Sequence, residues 1–269
     1  MTGTLNHPEE LWALAGRFSR AADARRVLLV AVDQARSRLD GDAAAAYRRH
    51  RRAGRWELIA RHGSALGLGD TDLITDPGTR DPLDALHRIA RPLRPFGRLA
   101  GGLAVQRDAP PFRRRDAEWL GRVSRIVSEE IVHRERAGWE RAACRLYRRL
   151  AEGGRSNDVV YHALDAIART TKADHSVSLL ESHGPPTVRA EKICGDGARS
   201  ARIGSPATVD EPPPWLPVPR HRLTALVTSG AGQEHVLVVR AREGDPFDAG
   251  DEEALEVLTG PLRAALARG

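Results

Sequence analysis

Cysteine, methionine, lysine and aromatic residues are all scarce in this 269-residue chain. Two cysteines, Cys144 and Cys194, cannot build a four-thiolate zinc site or a disulfide framework. Aromatic residues make up only 4%, which argues against a stacking platform for single-stranded nucleic acid. No uninterrupted apolar run approaches the roughly 20 residues of a membrane span. The segment from Met1 to Leu11 carries acids and no apolar stretch of the kind that forms a signal peptide. The expectation is a reduced, soluble, cytoplasmic protein. Only Lys172 and Lys192 are lysines, so nearly all of the basic residues behind the +6 net charge are arginines. They are spread along the chain and gathered into no single patch, which argues against specific nucleic-acid binding.

What is present is an internal likeness. Val27, Leu28, Ala31, Val32 and Ala35 have the spacing of one helix face, and so do Val159, Val160, Ala163, Leu164 and Ile167. Asp33 and Asp165, Asp42 and Asp174, and Gly63 and Gly195 share an offset of 132 residues, whereas Phe112 and Phe247, and Asp116 and Asp251, share 135. A three-residue length difference in one loop would reconcile the two. Likeness at this period predicts two copies of one domain rather than a solenoid.

Each copy reads as helix, two strands, long irregular stretch, two strands and helix. The helices are expected at Asp23 to Leu39 and Ser156 to Lys172. The strands of copy one are expected at Ala43 to His50, Trp56 to His62, Arg88 to Arg94 and Leu99 to Gln106. Those of copy two are expected at His175 to Glu181, Thr187 to Ile193, Arg222 to Thr228 and His235 to Arg240. Val27 to Val32 could be a buried strand by itself; its counterpart in copy two decides for helix. An extra helix precedes copy one, with Leu11, Leu14, Ala15 and Phe18 as its stripe. From Arg113 to Ala151 there is no proline and only two glycines, Gly121 and Gly138, so the last helix of copy one should run on as a linker. Its seam of Leu120, Val123 and Val127, continued by Leu146 and Leu150, predicts a homodimer built from helices; the rival is a monomer in which the first helix covers that seam. Gly260-Pro261 should kink or divide the final helix.

In this order and spacing the chain resembles the GAF domain. The resemblance rests on the passage from Ile89 to Val105, an apolar strand with Pro92, a turn at Pro95-Phe96-Gly97 and a second strand with Gly101-Gly102, followed by Phe112 and Asp116. Copy two repeats it from Leu223 to Val227 and from Val236 to Val239, then Phe247 and Asp251, without the strand proline and glycine. It implies an α+β chain of two GAF-like domains, each a central antiparallel sheet flanked by helices, joined by a long helix. The expected partition is an N-terminal helix at 1–22, domain one at 23–130, a linker helix at 131–155 and a more degenerate domain two at 156–269.

The same resemblance implies a non-enzymatic module that senses a small molecule or dimerises within a bacterial signalling or transcription pathway, with a protein partner there. The alternatives are an enzyme hidden in a GAF pocket, redox or small-molecule, and a DNA-associated regulator. Cyclic-nucleotide-binding GAF domains carry Asn-Lys, then Phe, then Asp-Glu. Phe247, Asp251 and Glu252 match the later half, while Arg240-Ala241 stands near the place of Asn-Lys. A structural reading covers these residues: Phe247 anchors a core, Asp248 caps a helix, and Asp251 and Glu252 are first-turn acids. The cysteine of phytochrome-like GAF domains is followed by histidine, but here Cys144 precedes Arg145 and Cys194 precedes Gly195. A bilin is therefore not expected, nor is haem, since no histidine pair has His-x-x-x-His spacing; no cofactor is predicted. The candidate ligand-binding residues are those of the long stretches and their borders: His62, Asp70, Asp72, Asp76, Arg80 and His87 in copy one, and Cys194, Asp196, Arg199 and Trp215 in copy two.

Overall fold

The computed structural model describes residues 7–49, 56–63, 87–181, 187–194, 203–204, 221–229, 232–240 and 246–268. The chain divides into two compact units, Met1–Glu135 and Arg136–Gly269.

In unit one, helix α1 (His7–Ser19) is followed by α2 (Ala24–Arg38). The carboxylate of Asp23 caps α2 by accepting from the Arg26 amide at 2.7 Å. Val27, Leu28, Ala31, Val32 and Ala35 are its buried residues, so the helical period prevails over the six-residue apolar run. Strands β1 (Ala43–Arg49), β2 (Trp56–Gly63), β3 (Arg88–Leu93) and β4 (Gly101–Gln106) form one antiparallel sheet in the order β2-β1-β4-β3. Gly101 has to be glycine: a Cβ there would collide with the carbonyl oxygen of Tyr47 on β1. Helix α3 (Arg114–Ala151) begins in unit one and carries the chain into unit two.

Unit two opens with α4 (Ser156–Thr170) and the strands β5 (Ser176–Glu181), β6 (Thr187–Ile193), β7 (His221–Ser229) and β8 (Gly232–Arg240). Its sheet has the matching order β6-β5-β8-β7. The chain leaves α2 and α4 through the same left-handed residue, Asp40 at φ 48° and Lys172 at φ 52°. The last helix, α5 (Ala249–Leu266), is capped reciprocally: Asp248 accepts from the Gly250 and Asp251 amides, and Asp251 accepts from the Asp248 amide.

Four expectations meet the structure as follows. The helix α5 runs through Gly260-Pro261 undivided. Leu255, Leu258 and Leu262 lie buried on both sides of the proline, and that packing outweighs one missing backbone hydrogen bond. Strand β8 starts at Gly232, not His235, because the β7–β8 hairpin pairs down to Ser229 opposite Gly232. The length difference between the copies is not confined to one loop. Ala43 faces Gln106 as Ser176 faces Val239, which shifts the strands by one residue against the helices. Gly63 pairs with Ala43 whereas Ile193 pairs with Ser176, so Gly63 and Gly195 are not counterparts. Finally, the seam of Leu120, Val123 and Val127 is wholly buried in the core of unit one, together with Leu14 and Phe18 of α1. The intramolecular rival thus accounts for that seam. Further along α3, Leu146 and Leu150 lie in the core of unit two with Leu258 and Leu262.

Candidate functional site

Directly opposed residues of an antiparallel pair point to the same face of a sheet, and alternate residues point to opposite faces. The sheet of unit one thereby presents two faces. Ala44, Ala46, Leu103 and Val105 belong to the core shared with α2 and α3. Ala43, Ala45, Tyr47, Ala90 and Ala104 form a separate buried cluster on the far face, joined by the half-buried Trp56 and Leu99. Pairing places Gly102 opposite Tyr47 and Gln106 opposite Ala43 on that same face. Between Tyr47 at one end and Gln106 at the other, the middle of this floor carries alanine and glycine, bordered on β3 by Pro92 beside Gly102 and Arg88 beside Gln106, and on β2 by Arg61 beside Ala45. Its surface rises one carbon above the backbone. Four residues along the strands and three strands across give a footprint of roughly 13 by 10 Å.

Gln106 is buried, and its Oε1 has no hydrogen-bond partner among the described residues. An amide oxygen so placed costs about 1–3 kcal/mol relative to one that is satisfied. The fold does not require a polar group there. The counterpart in unit two, paired with Ser176 and with Arg222 of β7, is Val239.

The far face of unit two is filled differently. Leu237 occupies the place of Ala104, Leu180 that of Tyr47, and His235 that of Gly102. Leu180, Leu237 and Val239 are buried, as are Ser176 and Ser178. The hydroxyl of Ser178 donates to Glu191 at 3.4 Å, and Ser176 lies 3.3 Å from Nδ1 of His175. Burial lowers the pKa of His175 below the ordinary imidazole value, against a smaller opposing pull from Asp174.

Three of the expected site residues can be placed. His62 pairs with Ala44, which puts it on the helix side of the sheet, away from the alanine floor. Its Nδ1 is 3.0 Å from Asp33 and its Nε2 is 3.3 Å from Arg36, so its ring is engaged by α2. His87 precedes β3 and donates from Nδ1 to the carbonyl of Arg107 at 3.1 Å, a contact that fixes its tautomer. Cys194 follows β6, half-buried, with its thiol donating to the Lys192 carbonyl at 3.6 Å and its amide to the His175 carbonyl at 2.8 Å. None of the three is brought to another. Asp70, Asp72, Asp76, Arg80, Asp196, Arg199 and Trp215 lie outside the described residues. No group of three or more histidine, cysteine or acidic residues suited to a metal occurs among the described residues.

Sequence reasoning missed Arg107 and Arg240, which do the same work in the two units. Arg107 leaves β4 buried, donates to the carbonyls of Leu39 and Pro111, pairs with Asp116 at 3.5 Å and lies 4.2 Å over the Phe112 ring. Arg240 ends β8, donates to the carbonyls of Thr171 and Pro246, pairs with Asp251 at 3.1 Å and lies 4.0 Å over Phe247. Each arginine clasps the end of the first helix to the start of the last. Phe247 and Asp251 are thereby engaged in structure, and Arg240 holds the carboxylate that a ligand reading would have left open.

Several solved structures resemble this chain. The GAF domain of an Acinetobacter phosphoenolpyruvate-protein phosphotransferase aligns with 49% of this chain and 95% of its own, at 16% identity and a TM-score of 0.38. The GAF domain of a Coxiella burnetii phosphoenolpyruvate-protein phosphotransferase aligns with 51% of this chain and 99% of its own, at 16% identity and a TM-score of 0.40. The photosensory core module of the Stigmatella aurantiaca phytochrome aligns with 98% of this chain and 75% of its own, at 14% identity and a TM-score of 0.46. No family model matches the chain, and no curated protein does.

Proposed function

We propose that the chain is a tandem pair of GAF-like domains, at 23–130 and 156–269, preceded by a helix at 1–22 and joined through 131–155. It acts as a non-enzymatic regulatory module that binds a small molecule in its first domain. The observation that carries this reading is the alanine floor of unit one, buried yet built from the smallest side chains, at the positions where unit two is filled by Leu237 and His235. The second domain then serves as scaffold rather than sensor. No helix among the described residues is long and apolar enough to cross a membrane, and we place the module in the cytoplasm, upstream of a protein partner in a bacterial signalling pathway.

Native mass spectrometry of gently purified protein tests the reading. A retained small molecule that is lost on Ala104→Leu and kept on Ser178→Leu supports it. A molecule retained equally by both variants contradicts it, as does the absence of any retained mass combined with no change in melting temperature against a metabolite extract.

Pairing of two copies, with the α3 seam buried, falls to the outer face of α1, where Trp12 is 79% exposed. Light scattering at micromolar concentration decides this. A dimer dissociated by Trp12→Glu supports it, and a monomeric wild type rejects it.

A further inference from the structure

The orphaned amide at one end of the alanine floor says something about what the floor holds. Gln106 shares its face with Ala43 and Arg88, its pairing partners on β1 and β3, and with Ala104 two residues back along β4. It is more than nine-tenths buried, and its Oε1 accepts no hydrogen bond among the described residues. Buried polar groups in proteins are nearly always satisfied, so an orphan in a place where the fold also accepts valine points to a partner from outside the chain. The rest of the floor sets the body of that partner. Ala43, Ala45, Ala90, Ala104 and Gly102, with Pro92 beside Gly102, offer methyl groups and backbone suited to a flat ring system, and the charges on this face stand at its borders, Arg88 beside Gln106 and Arg61 beside Ala45.

We infer that unit one takes a flat, largely apolar two- or three-ring heteroaromatic molecule whose ring N–H donates a hydrogen bond to Oε1 of Gln106. This deepens the ligand-binding reading above and rests on it. Unit two takes no such ligand, because Val239 has no acceptor to offer and Leu237 stands where the ring would lie.

The test uses probes that differ at one ring position: indole, which donates; indene, which has the same shape and neither donates nor accepts; and benzofuran, which accepts only. Each is titrated calorimetrically into the full chain and into its Gln106→Val, Ala104→Leu and Ser178→Leu variants. Gln106→Val copies the residue that unit two carries at this place, so the variant is expected to fold. Wild type should bind indole at least tenfold more tightly than indene or benzofuran. Gln106→Val should bring the three probes within about twofold of one another. Ala104→Leu should abolish binding, and Ser178→Leu should leave it unchanged. Equal binding of indole and indene by wild type, tighter binding of benzofuran than of indole, or an unchanged preference in Gln106→Val overturns the inference. If Ala104→Leu still abolishes binding in those cases, the ligand-binding reading stands without it. Failure of all three probes to bind at their solubility limits overturns the inference, and the retained-ligand measurement then judges the reading by itself.

Discussion

The two sheets have the same strand order and the same arginine clasp between the first and last helices, but their faces turned away from the helices differ. Unit one presents alanine and glycine around a buried glutamine; unit two presents leucine, valine, serine and histidine. The helix-side cores, by contrast, are both continuous apolar clusters, aliphatic in unit two and joined in unit one by Phe18, Phe112 and Trp119. The contrast separates two demands on one scaffold. Helix packing and the clasp hold the sheet, and the far face is free to be filled or left low. On the proposed reading, side chains in unit two do the packing that a ligand does in unit one.

The largest expected effect tests the shared part of the comparison. Arg240 and Asp251 are almost wholly buried, at 1% and 3% exposure, whereas Arg107 and Asp116 retain 10% and 17%. Removing one partner of a buried pair strands the other, at about 3–5 kcal/mol. Arg240→Ala should therefore destabilise unit two by roughly that much, and Arg107→Ala should cost unit one visibly less. Hydrogen exchange resolved by unit is the measurement, because a single melting temperature does not describe two units. Equal losses would show that the clasps are not graded by burial.

The next effect tests the difference. Leu237→Ala should cost unit two about 2–5 kcal/mol, as buried leucine truncations do. The reciprocal Ala104→Leu in unit one adds bulk over the alanine floor and should cost about 1–3 kcal/mol. A larger loss from Ala104→Leu than from Leu237→Ala would show that both faces are equally packed.

Smaller again is the cap. Asp248→Ala should weaken unit two by about 1 kcal/mol, since it removes the side chain that holds the first amides of α5. Unit one has Arg113 before α3, where only its amide is met, by Asp116. Arg113→Asp should therefore stabilise unit one by a few tenths of a kcal/mol up to about 1. Hydrogen exchange resolved by unit in both variants checks the pair.

The smallest effect is a pH dependence confined to unit two. Burial lowers the pKa of His175, so below the ordinary imidazole value of about 6.5 the unfolded chain binds more protons than the folded one. Stability is full above that pH and is lost as pH falls through it toward the depressed value. Protection factors in unit two, corrected for the intrinsic pH dependence of exchange, should fall accordingly from about pH 7.5 to 5, and His175→Asn should flatten that slope. A slope unchanged in the variant would assign it to other groups.

Much of the architecture was legible from sequence because apolar spacing on α2 and α4 repeats so closely, and because Phe112 with Asp116 and Phe247 with Asp251 mark the two final helices. The clasp was not legible. Arginine is so abundant here that Arg107 and Arg240 carry no signal until the structure buries them. The floor was hidden for another reason. Ala43 to Ala46 are alanine in both phases of the strand, so no alternation says which face is which. Gln106, the last residue of its strand, looks in sequence like a surface residue. His62 borders a long loop in sequence, yet one position of strand register puts it on the opposite face from the floor.

The central claim, that unit one's far face is the ligand side and unit two's is not, is tested most directly by methyl NMR on the full chain. With alanine, leucine and valine methyl groups labelled and assigned, indole is added to saturation. The account expects shifts concentrated at Ala43, Ala45, Ala90 and Ala104, with Leu180, Leu237 and Val239 unmoved. Shifts centred on Leu180, Leu237 and Val239, or spread without saturating, would contradict it.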